Sequence, residues 1–387
     1  MLRIINFDHA AATQPLPEVV EAMQPYLRDI FGNPSSIHKA GQSVRTAIEQ
    51  ARSQVAQMLN ASPEEIYFTA SGSESNNFAL KGIAFANQKK GNHIVVSAIE
   101  HFSVLQAAKS LQKLGFEVTH VKVDRNGLVA PEDVQQALTD KTLLVSIMHA
   151  NHEVGTIEPI KEIARIVKER NILFHTDAIQ TAGLIPVDVK DLNVDLLSFA
   201  AQTFYGPKGT AGLYIRKGAR INPLIDGGTQ EGGRRAGTEN VMGIVGMGVA
   251  AELAQKKMPD RIKQVQALRD LMIQSIESQI AHTYLHGHRE LRLPNNVNFG
   301  FEYIEGESIL LFLGTDNIIA SSGSACTSKA LKASHVLTAM GVSPALANGT
   351  LMFTLGIDNT EADVKLLTDK LPGIVNRLRQ MSPLYNL

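Results

Sequence analysis

The chain has 387 residues, of which 44% are hydrophobic and 19% are charged, with 37 Lys plus Arg against 38 Asp plus Glu. These values predict a globular protein of two domains or one large domain, and the balanced charge excludes bulk attraction to nucleic acid or to an anionic membrane. The single cysteine, Cys326, excludes an internal disulfide and a metal cage of several cysteines. No apolar run approaches the roughly 20 residues of a membrane span, and the first residues lack a signal-peptide pattern, so we expect a cytoplasmic protein.

Short apolar runs alternate with helical patterns over the first part of the chain. Seven runs have the length of buried strands: residues 65–70, 93–98, 117–123, 143–149, 172–177, 196–199 and 212–215. Apolar residues at three- and four-residue spacing, which is typical of helices, occur at 43–60, 75–88, 103–114 and 161–170. The alternation predicts βαβ units on a sheet that helices cover on both faces.

The pattern changes after about residue 247. A long helical pattern runs to residue 278, and it is followed by apolar runs at 293–301 and 350–355. These features predict a smaller α+β domain formed by residues 1–13 and 251–387, beside a large α/β domain formed by residues 14–250. Ligand sites favour such domain seams and the carboxyl ends of sheet strands.

Three candidate site positions follow predicted strands. The run Ser71-Gly72-Ser73 opens a helix, so its N–H groups and the Ser73 hydroxyl would suit a phosphate, and an ordinary helix cap is the alternative. Asp177 ends a strand, where it would pair with a protonated ring nitrogen or act as a buried cap. His101 follows another strand at the same edge, where it would stack on a flat cofactor, move protons, or be purely structural.

Cys326 lies in a stretch of small polar residues at 320–328, a composition typical of a loop. We expect a thiol on such a loop to be accessible, and its reactivity depends on the fraction present as thiolate, given an unperturbed pKa of about 8.5. A buried, inert cysteine is the alternative.

Together these stretches resemble the cysteine desulfurases, a class V aminotransferase-like branch of the pyridoxal-phosphate (PLP) enzymes that moves sulfur from cysteine to iron–sulfur cluster assembly and tRNA thiolation. The resemblance runs nearly from end to end. It is carried by Phe7-Asp8-His9-Ala10-Ala11-Ala12-Thr13, Phe31-Gly32-Asn33-Pro34-Ser35-Ser36, residues 68–77, Glu100-His101, residues 175–180, Tyr205-Gly206-Pro207-Lys208-Gly209, Arg235-Ala236-Gly237-Thr238-Glu239-Asn240-Val241, Pro294-Asn295-Asn296-Val297-Asn298, Glu305-Gly306-Glu307-Ser308, residues 321–328 and Ser382-Pro383-Leu384-Tyr385.

The resemblance implies the α/β fold of the PLP-dependent transferases of the aspartate aminotransferase type. That fold has a large domain with a mostly parallel seven-stranded sheet and a smaller α+β domain. The resemblance also implies a homodimer in which Thr238 reaches the cofactor phosphate of the neighbouring subunit.

The same resemblance implies roles for individual residues around the cofactor. Gly72 and Ser73 would bind its phosphate, and His101 would stack on its ring. Asp177 would face the pyridine nitrogen, and Gln180 would face the ring hydroxyl.

Several positions depart from the family pattern. Thr203 stands where the family has the lysine that forms a Schiff base with the cofactor, which a threonine hydroxyl cannot do. Ala200 and Gln202 replace a serine and a histidine that contact the phosphate, and His152 replaces an asparagine beside the cofactor. Ile357 replaces the arginine that clamps the substrate carboxylate, so we expect free cysteine to bind poorly.

These departures predict a cysteine desulfurase-like protein without normal PLP–lysine chemistry, a pseudoenzyme of sulfur transfer and iron–sulfur cluster assembly. Cys326 would then act as a sulfur carrier, or as a ligand of an iron–sulfur cluster shared with a partner. We expect PLP to bind non-covalently at best, with His101 as the remaining catalytic group. Asn33 and His152 would lie beside the substrate, and Thr203 would lie beside the cofactor.

The expected partners are a second copy of the chain and an iron–sulfur scaffold or sulfur-acceptor protein, with no nucleic acid and no membrane. Three alternatives stay open. The first is an active desulfurase with non-covalent PLP, which converts L-cysteine to L-alanine plus an enzyme persulfide. The second is a non-catalytic partner dimerised with an active paralogue, and the third is another class V activity.

Overall fold

The structure is a computed structural model, and it describes residues 3–322 and 333–385. The strands are Ile5–Asn6 (β1), Ile66–Thr69 (β2), His93–Ser97 (β3), Glu117–Val121 (β4), Thr142–Ser146 (β5), Leu173–Asp177 (β6), Leu196–Ala200 (β7), Ala211–Ile215 (β8), Thr283–Leu285 (β9), Asn296–Phe301 (β10), Ile318–Ile319 (β11) and Thr350–Thr354 (β12).

The helices are Pro17–Met23 (α1), Pro25–Arg28 (α2), Lys39–Leu59 (α3), Gly72–Asn87 (α4), Phe102–Gln112 (α5), Pro131–Ala137 (α6), Ile160–Glu169 (α7), Val241–Gln279 (α8), Gly306–Thr315 (α9), His335–Ala339 (α10), Pro344–Asn348 (α11) and Glu361–Met381 (α12). Short 3-10 turns span Pro63–Glu65, Ala201–Thr203 and Gln230–Gly233.

The main sheet has seven strands in the order β2-β8-β7-β6-β5-β3-β4. Strand β8 is antiparallel to both of its neighbours, and the pairings from β7 to β4 are all parallel. The seven predicted strands and the predicted α/β class with a mostly parallel sheet are therefore confirmed.

The side chains of the central strands pack into two apolar cores, one on each face of the sheet. On strand β3, Ile94 and Val96 pack with α4 and α5, whereas Val95 packs with residues of α3 and α7 on the opposite face. This follows from the period of two along a strand, which sends neighbouring side chains to opposite faces. Both faces are covered, so the strands read as continuous apolar runs in the sequence.

A third core lies under the smaller sheet, whose strand order is β12-β10-β9. It contains Phe7, Phe299 and Phe353, and residues of α9 and α12 pack against it. Helix α8 joins the two parts, because Ile244 belongs to a core of the main sheet and Met272 belongs to this one. The domain boundaries at residues 13 and 250 stay a prediction.

Strands β2, β3, β5, β6 and β7 all run in the same direction, so their carboxyl ends lie along one edge of the main sheet. Loops that leave this edge lead into α4, α5 and the turn Ala201–Thr203. Within the described residues, no helix combines the length and apolar character needed to span a bilayer.

Candidate active site at the carboxyl edge of the sheet

Asp177, the last residue of β6, is 5% exposed and anchors a hydrogen-bonded network at the sheet edge. Its Oδ2 accepts a bond of 2.6 Å from Asn76 Nδ2, and its Oδ1 accepts a bond of 3.0 Å from the N–H of Ile179. Burial raises the pKa of Asp177, and the nearby His101 and these two donors oppose that rise. A carboxylate has about four lone-pair positions, so a further donor such as a protonated ring nitrogen would find an acceptor here.

His101 is joined to the same network through Ser103. The backbone N–H of Ser103 donates to His101 Nδ1 at 3.1 Å, so the histidine is the N-cap of α5. Asn76 Nδ2 also donates to Ser103 Oγ at 2.8 Å, and Ser103 Oγ lies 2.8 Å from His101 Nδ1. Because Nδ1 accepts, the hydrogen of the neutral ring is on Nε2. The N-cap role of His101 seen in the structure and its predicted role as a site residue are therefore compatible.

Gly72 begins α4 next to this network. A Cβ at residue 72 would lie 2.2 Å from Ile179 Cδ1, so any larger residue there would require the end of the Ile179 side chain to shift. The side chain of Ser71 caps the helix by accepting the N–H of Glu74 at 3.1 Å, which confirms the helix-cap alternative for Ser71. The N–H groups of Gly72 and Ser73 have no hydrogen-bond acceptor within the described part of the chain, as a phosphate site at a helix N-terminus requires.

Thr203 ends the turn that follows β7. Its Oγ1 lies 2.7 Å from the carbonyl oxygen of Ile179 and 2.9 Å from that of Ala200, so the hydroxyl donates to backbone. Gln180, whose Nε2 donates to the carbonyl oxygen of Ala10 at 3.1 Å, lines a small cavity together with Thr203 and Ile357. The structure therefore brings Thr203, Gln180 and Ile357 together.

His152 lies against His101, with ring centroids 5.2 Å apart and an interplanar angle of 78°. Burial and the neighbouring rings of His101 and His335 hold the pKa of His152 well below its usual value. Its Nδ1 is buried without a hydrogen-bond partner, and its Nε2 lies 3.7 Å from Glu153 Oε1. Burial raises the pKa of Glu153 to about 7, although Ser334 Oγ donates to its Oε2 at 2.5 Å.

The remaining predicted residues do not join this cluster within one chain. Asn33 is exposed, and its Oδ1 accepts the N–H of Ser35 at 2.8 Å. Thr238 is also exposed, and its role at the site of a partner subunit stays a prediction. Cys326 lies outside the described residues, as do residues 323–328 of its predicted loop, so its predicted roles stay predictions. Over residues 3–322 and 333–385, no group of three or more His, Cys, Asp or Glu side chains has the arrangement of a metal site.

Sequence analysis assigned no role to Asn76, Ser103 or Glu153. A signal for Asn76 exists, because it lies four residues after Gly72 and so shares a face of α4 with it. Ser103 occupies the N-terminal turn of a predicted helix, where hydroxyls commonly bond to neighbouring groups. Glu153 carries no comparable signal, because its contact with Ser334 joins residues that are 181 positions apart.

The chain matches the family described as aminotransferase class-V over residues 5–367. It is 53% identical over 383 residues to "Cysteine desulfurase IscS" of Dictyoglomus turgidum, covering 99% of this chain and 97% of the relative. It is 52% identical over 382 residues to the protein of the same name from Methanosarcina thermophila, covering 99% and 94%.

Solved structures give the same picture. The structure of a NifS-like protein superposes with a TM-score of 0.91 at 38% identity, covering 97% of this chain and all of the other. The structure of SspA in complex with cysteine superposes with a TM-score of 0.80 at 37% identity, covering 92% of this chain and 99% of the other. Both likenesses extend over nearly the whole chain.

These relatives correct two sequence-based expectations. The expectation that PLP binds non-covalently at best is wrong, because cysteine desulfurases bind PLP covalently and depend on it. The physical reason is that cleavage at an amino-acid side chain needs an electron sink, and the network of Asp177, Asn76 and His101 suited to the ring is intact. The pseudoenzyme prediction is likewise not supported, and the active desulfurase fits better.

Proposed function

We propose, because this chain belongs to the aminotransferase class-V family, that it is a PLP-dependent cysteine desulfurase. It would convert L-cysteine to L-alanine and load the sulfur on Cys326 for a scaffold or acceptor protein of iron–sulfur cluster assembly. The observation that carries this proposal is the 53% identity over 99% of the chain to a protein named cysteine desulfurase. A homodimer in the cytoplasm is part of the same proposal.

The network at the sheet edge supports this activity. Asp177 would hold the ring nitrogen of PLP in its protonated form, and Asn76 would keep the carboxylate in place through its bond of 2.6 Å. The free N–H groups at the start of α4, at Gly72 and Ser73, would hold the phosphate. PLP, when bound there, supplies the electron sink for the substrate carbon.

The protein's own groups would then move protons and sulfur. His101, whose Nδ1 is fixed by Ser103, would give and take protons at Nε2. The Cys326 thiolate would attack the sulfur of the substrate as the Cβ–S bond breaks. The products are L-alanine and a Cys326 persulfide, so Cβ is reduced, the two sulfurs are oxidised to the disulfide level, and no external oxidant is needed.

The site at which PLP is attached must differ between this chain and the usual cysteine desulfurases. Thr203 has no amine, so we infer that a lysine outside position 203 forms the covalent bond. Lys208 is the nearest along the chain, and it is exposed on the turn Gly206-Pro207-Lys208-Gly209. A bond from Lys208 would require the turn after β7 to shift.

The direct test supplies L-cysteine to the purified, PLP-supplemented chain and measures alanine by chromatography and persulfide on Cys326 by intact mass. The proposal expects alanine formation above that of free PLP, and an added sulfur that is absent from the Cys326→Ala variant. Alanine at the level of free PLP would overturn it.

A second candidate function is favoured by Thr203 and Ile357, the two departures that lie together beside the sheet edge. In that case the chain dimerises with an active paralogue and carries sulfur on Cys326. The same assay separates the two candidates, because a carrier gains a persulfide only after a separate active desulfurase is added.

A further inference from the structure

A small cavity lies beside Thr203, between the edge of the main sheet and the third core. Its wall includes Tyr205, Arg261, Asn295 and Ile357. The enclosed space of about 20 Å³ accommodates roughly one water molecule, or one oxygen of a carboxylate group. A ligand at Thr203 would therefore reach into it with a single polar head.

Buried polar atoms without partners line this cavity. Arg261 is 8% exposed, and its Nη1 has no hydrogen-bond partner within the described residues. Asn295 Oδ1 and both ring nitrogens of His9 are also buried without a hydrogen-bond partner. His9 Nε2 lies 3.3 Å from Asp358 Oδ1, but the two atoms lack hydrogen-bond geometry. An unpaired buried guanidinium nitrogen is costly, so it marks a place where an anion would be stabilised.

Tyr205 contacts the guanidinium and offers a second donor. The Arg261 Cζ lies 5.2 Å from the centre of the Tyr205 ring, within the range of a cation–π contact. Tyr205 Oη accepts the N–H of Ile357 at 2.9 Å, so its own hydrogen is free to donate. Burial lowers the pKa of Arg261, which marks a partly desolvated cation.

Ile357, in the wall of the cavity, links it to the binding of the substrate carboxylate. The cysteine desulfurase pattern has an arginine for the substrate carboxylate at this position, and an isoleucine side chain cannot bind a carboxylate. Arg261 approaches the same cavity from the middle of α8. We propose that Arg261 binds the α-carboxylate of the amino-acid substrate from this side, an inference that rests on the proposed function.

The test measures the binding of L-alanine and of L-alaninamide, which lacks the carboxylate, to the PLP-supplemented protein by titration calorimetry. In Arg261→Gln we expect L-alanine to bind about 10- to 100-fold more weakly and L-alaninamide to bind as before, because a charge-assisted bond is lost. Arg165→Gln is the matched control, since Arg165 pairs with Glu169 on the surface of α7 and should leave both affinities unchanged.

Two further variants protect the test against a folding defect. Arg261→Lys keeps the charge but loses the fork, so it should weaken L-alanine less than Arg261→Gln does. The double variant Arg261→Gln/Ile357→Arg should regain most of the L-alanine affinity, because it restores an arginine to the cavity wall.

Equal affinity of wild type and Arg261→Gln for L-alanine would overturn the inference. So would a parallel loss of both ligands, or an absence of L-alanine binding to the wild type. These outcomes are distinct from failure of the proposed function, which is an absence of alanine formation from L-cysteine.

Discussion

The two sides of the pocket differ in how far they keep the pattern of the cysteine desulfurases. The side suited to the cofactor ring carries the family residues at Asp177, His101 and Gly72, and a chain of hydrogen bonds through Asn76 and Ser103 joins Asp177 to His101. Its departures from the pattern are Ala200, Gln202 and His152. The side suited to the substrate carries Thr203 and Ile357, and it leaves buried polar atoms without partners.

The comparison shows that residues on one side of the pocket can depart from the family pattern while residues on the other side keep it. The ring side is built from residues at the ends of strands and the starts of helices, and at Gly72 a Cβ would overlap the Ile179 side chain, whose Cδ1 would be 2.2 Å away. On the other side, Thr203 lies in the turn after β7, where its hydroxyl donates to backbone carbonyl oxygens, and Ile357 lies in a loop. Arg261 enters that side from α8, a separate element.

The largest expected effect comes from restoring the family's lysine on the substrate side. Thr203→Lys should place an amine beside Ile179 and Ala200, whose carbonyl oxygens the hydroxyl now contacts. We expect PLP to attach at residue 203 and kcat for alanine formation to rise by about 10²-fold or more, because a positioned base is gained. Thr203→Met, of similar length without an amine, is the control, and equal rates for the two variants would contradict the prediction.

The ring side is broken by Asp177→Asn. Loss of the charge opposite the ring nitrogen should lower the affinity for PLP by about 10- to 100-fold, because a charge-assisted bond becomes a neutral one. Titration with PLP followed by absorbance measures this. Asp195→Asn removes another buried aspartate, which binds Lys168 and the N–H of Phe174, and it should lower the melting temperature without altering PLP affinity.

A smaller effect is expected at the boundary between the two sides, where His152 contacts His101. His152→Asn restores the family residue and provides an amide that hydrogen-bonds, where the ring now has a buried Nδ1 without a partner. We expect kcat/KM for L-cysteine to rise by less than about tenfold, the worth of one neutral hydrogen bond. A fall in kcat/KM would mean that the imidazole itself takes part in the reaction.

A separate prediction concerns stability and its dependence on pH. Burial raises the pKa of Glu100 to about 8 from an ordinary value of 4.5, so the folded chain binds a proton that the unfolded chain loses first. Stability from this group is therefore complete below pH 4.5 and falls as the pH rises to about 8. Glu100→Gln cannot titrate, so its urea-unfolding free energy should lose this slope, which amounts to a few kcal/mol. An unchanged slope would contradict the assignment.

Much of the ring side could be predicted from the sequence, because local patterns carry it. Asp177 and His101 follow strand-like runs, and Gly72 follows a strand and opens a helix, so strand direction alone brings them to one edge. The substrate side could not be predicted in the same way. Its partners come from distant elements, and no local pattern indicates that Arg261 on α8 shares a cavity with Ile357.

The network at Asp177 was also only partly predictable. Its position at the sheet edge follows from the strand, but its bond to Asn76 and the link through Ser103 depend on how α4 and α5 pack. Cys326 was singled out by composition, and its placement stays a prediction because it lies outside the described residues.

The most direct test of the account is the addition of PLP to the purified chain, followed by borohydride reduction, intact-mass analysis and peptide mapping. The account predicts a visible absorption band and one PLP fixed per chain at a single lysine, which cannot be residue 203 because that residue is a threonine. A protein that stays colourless and unmodified after the same treatment would contradict it.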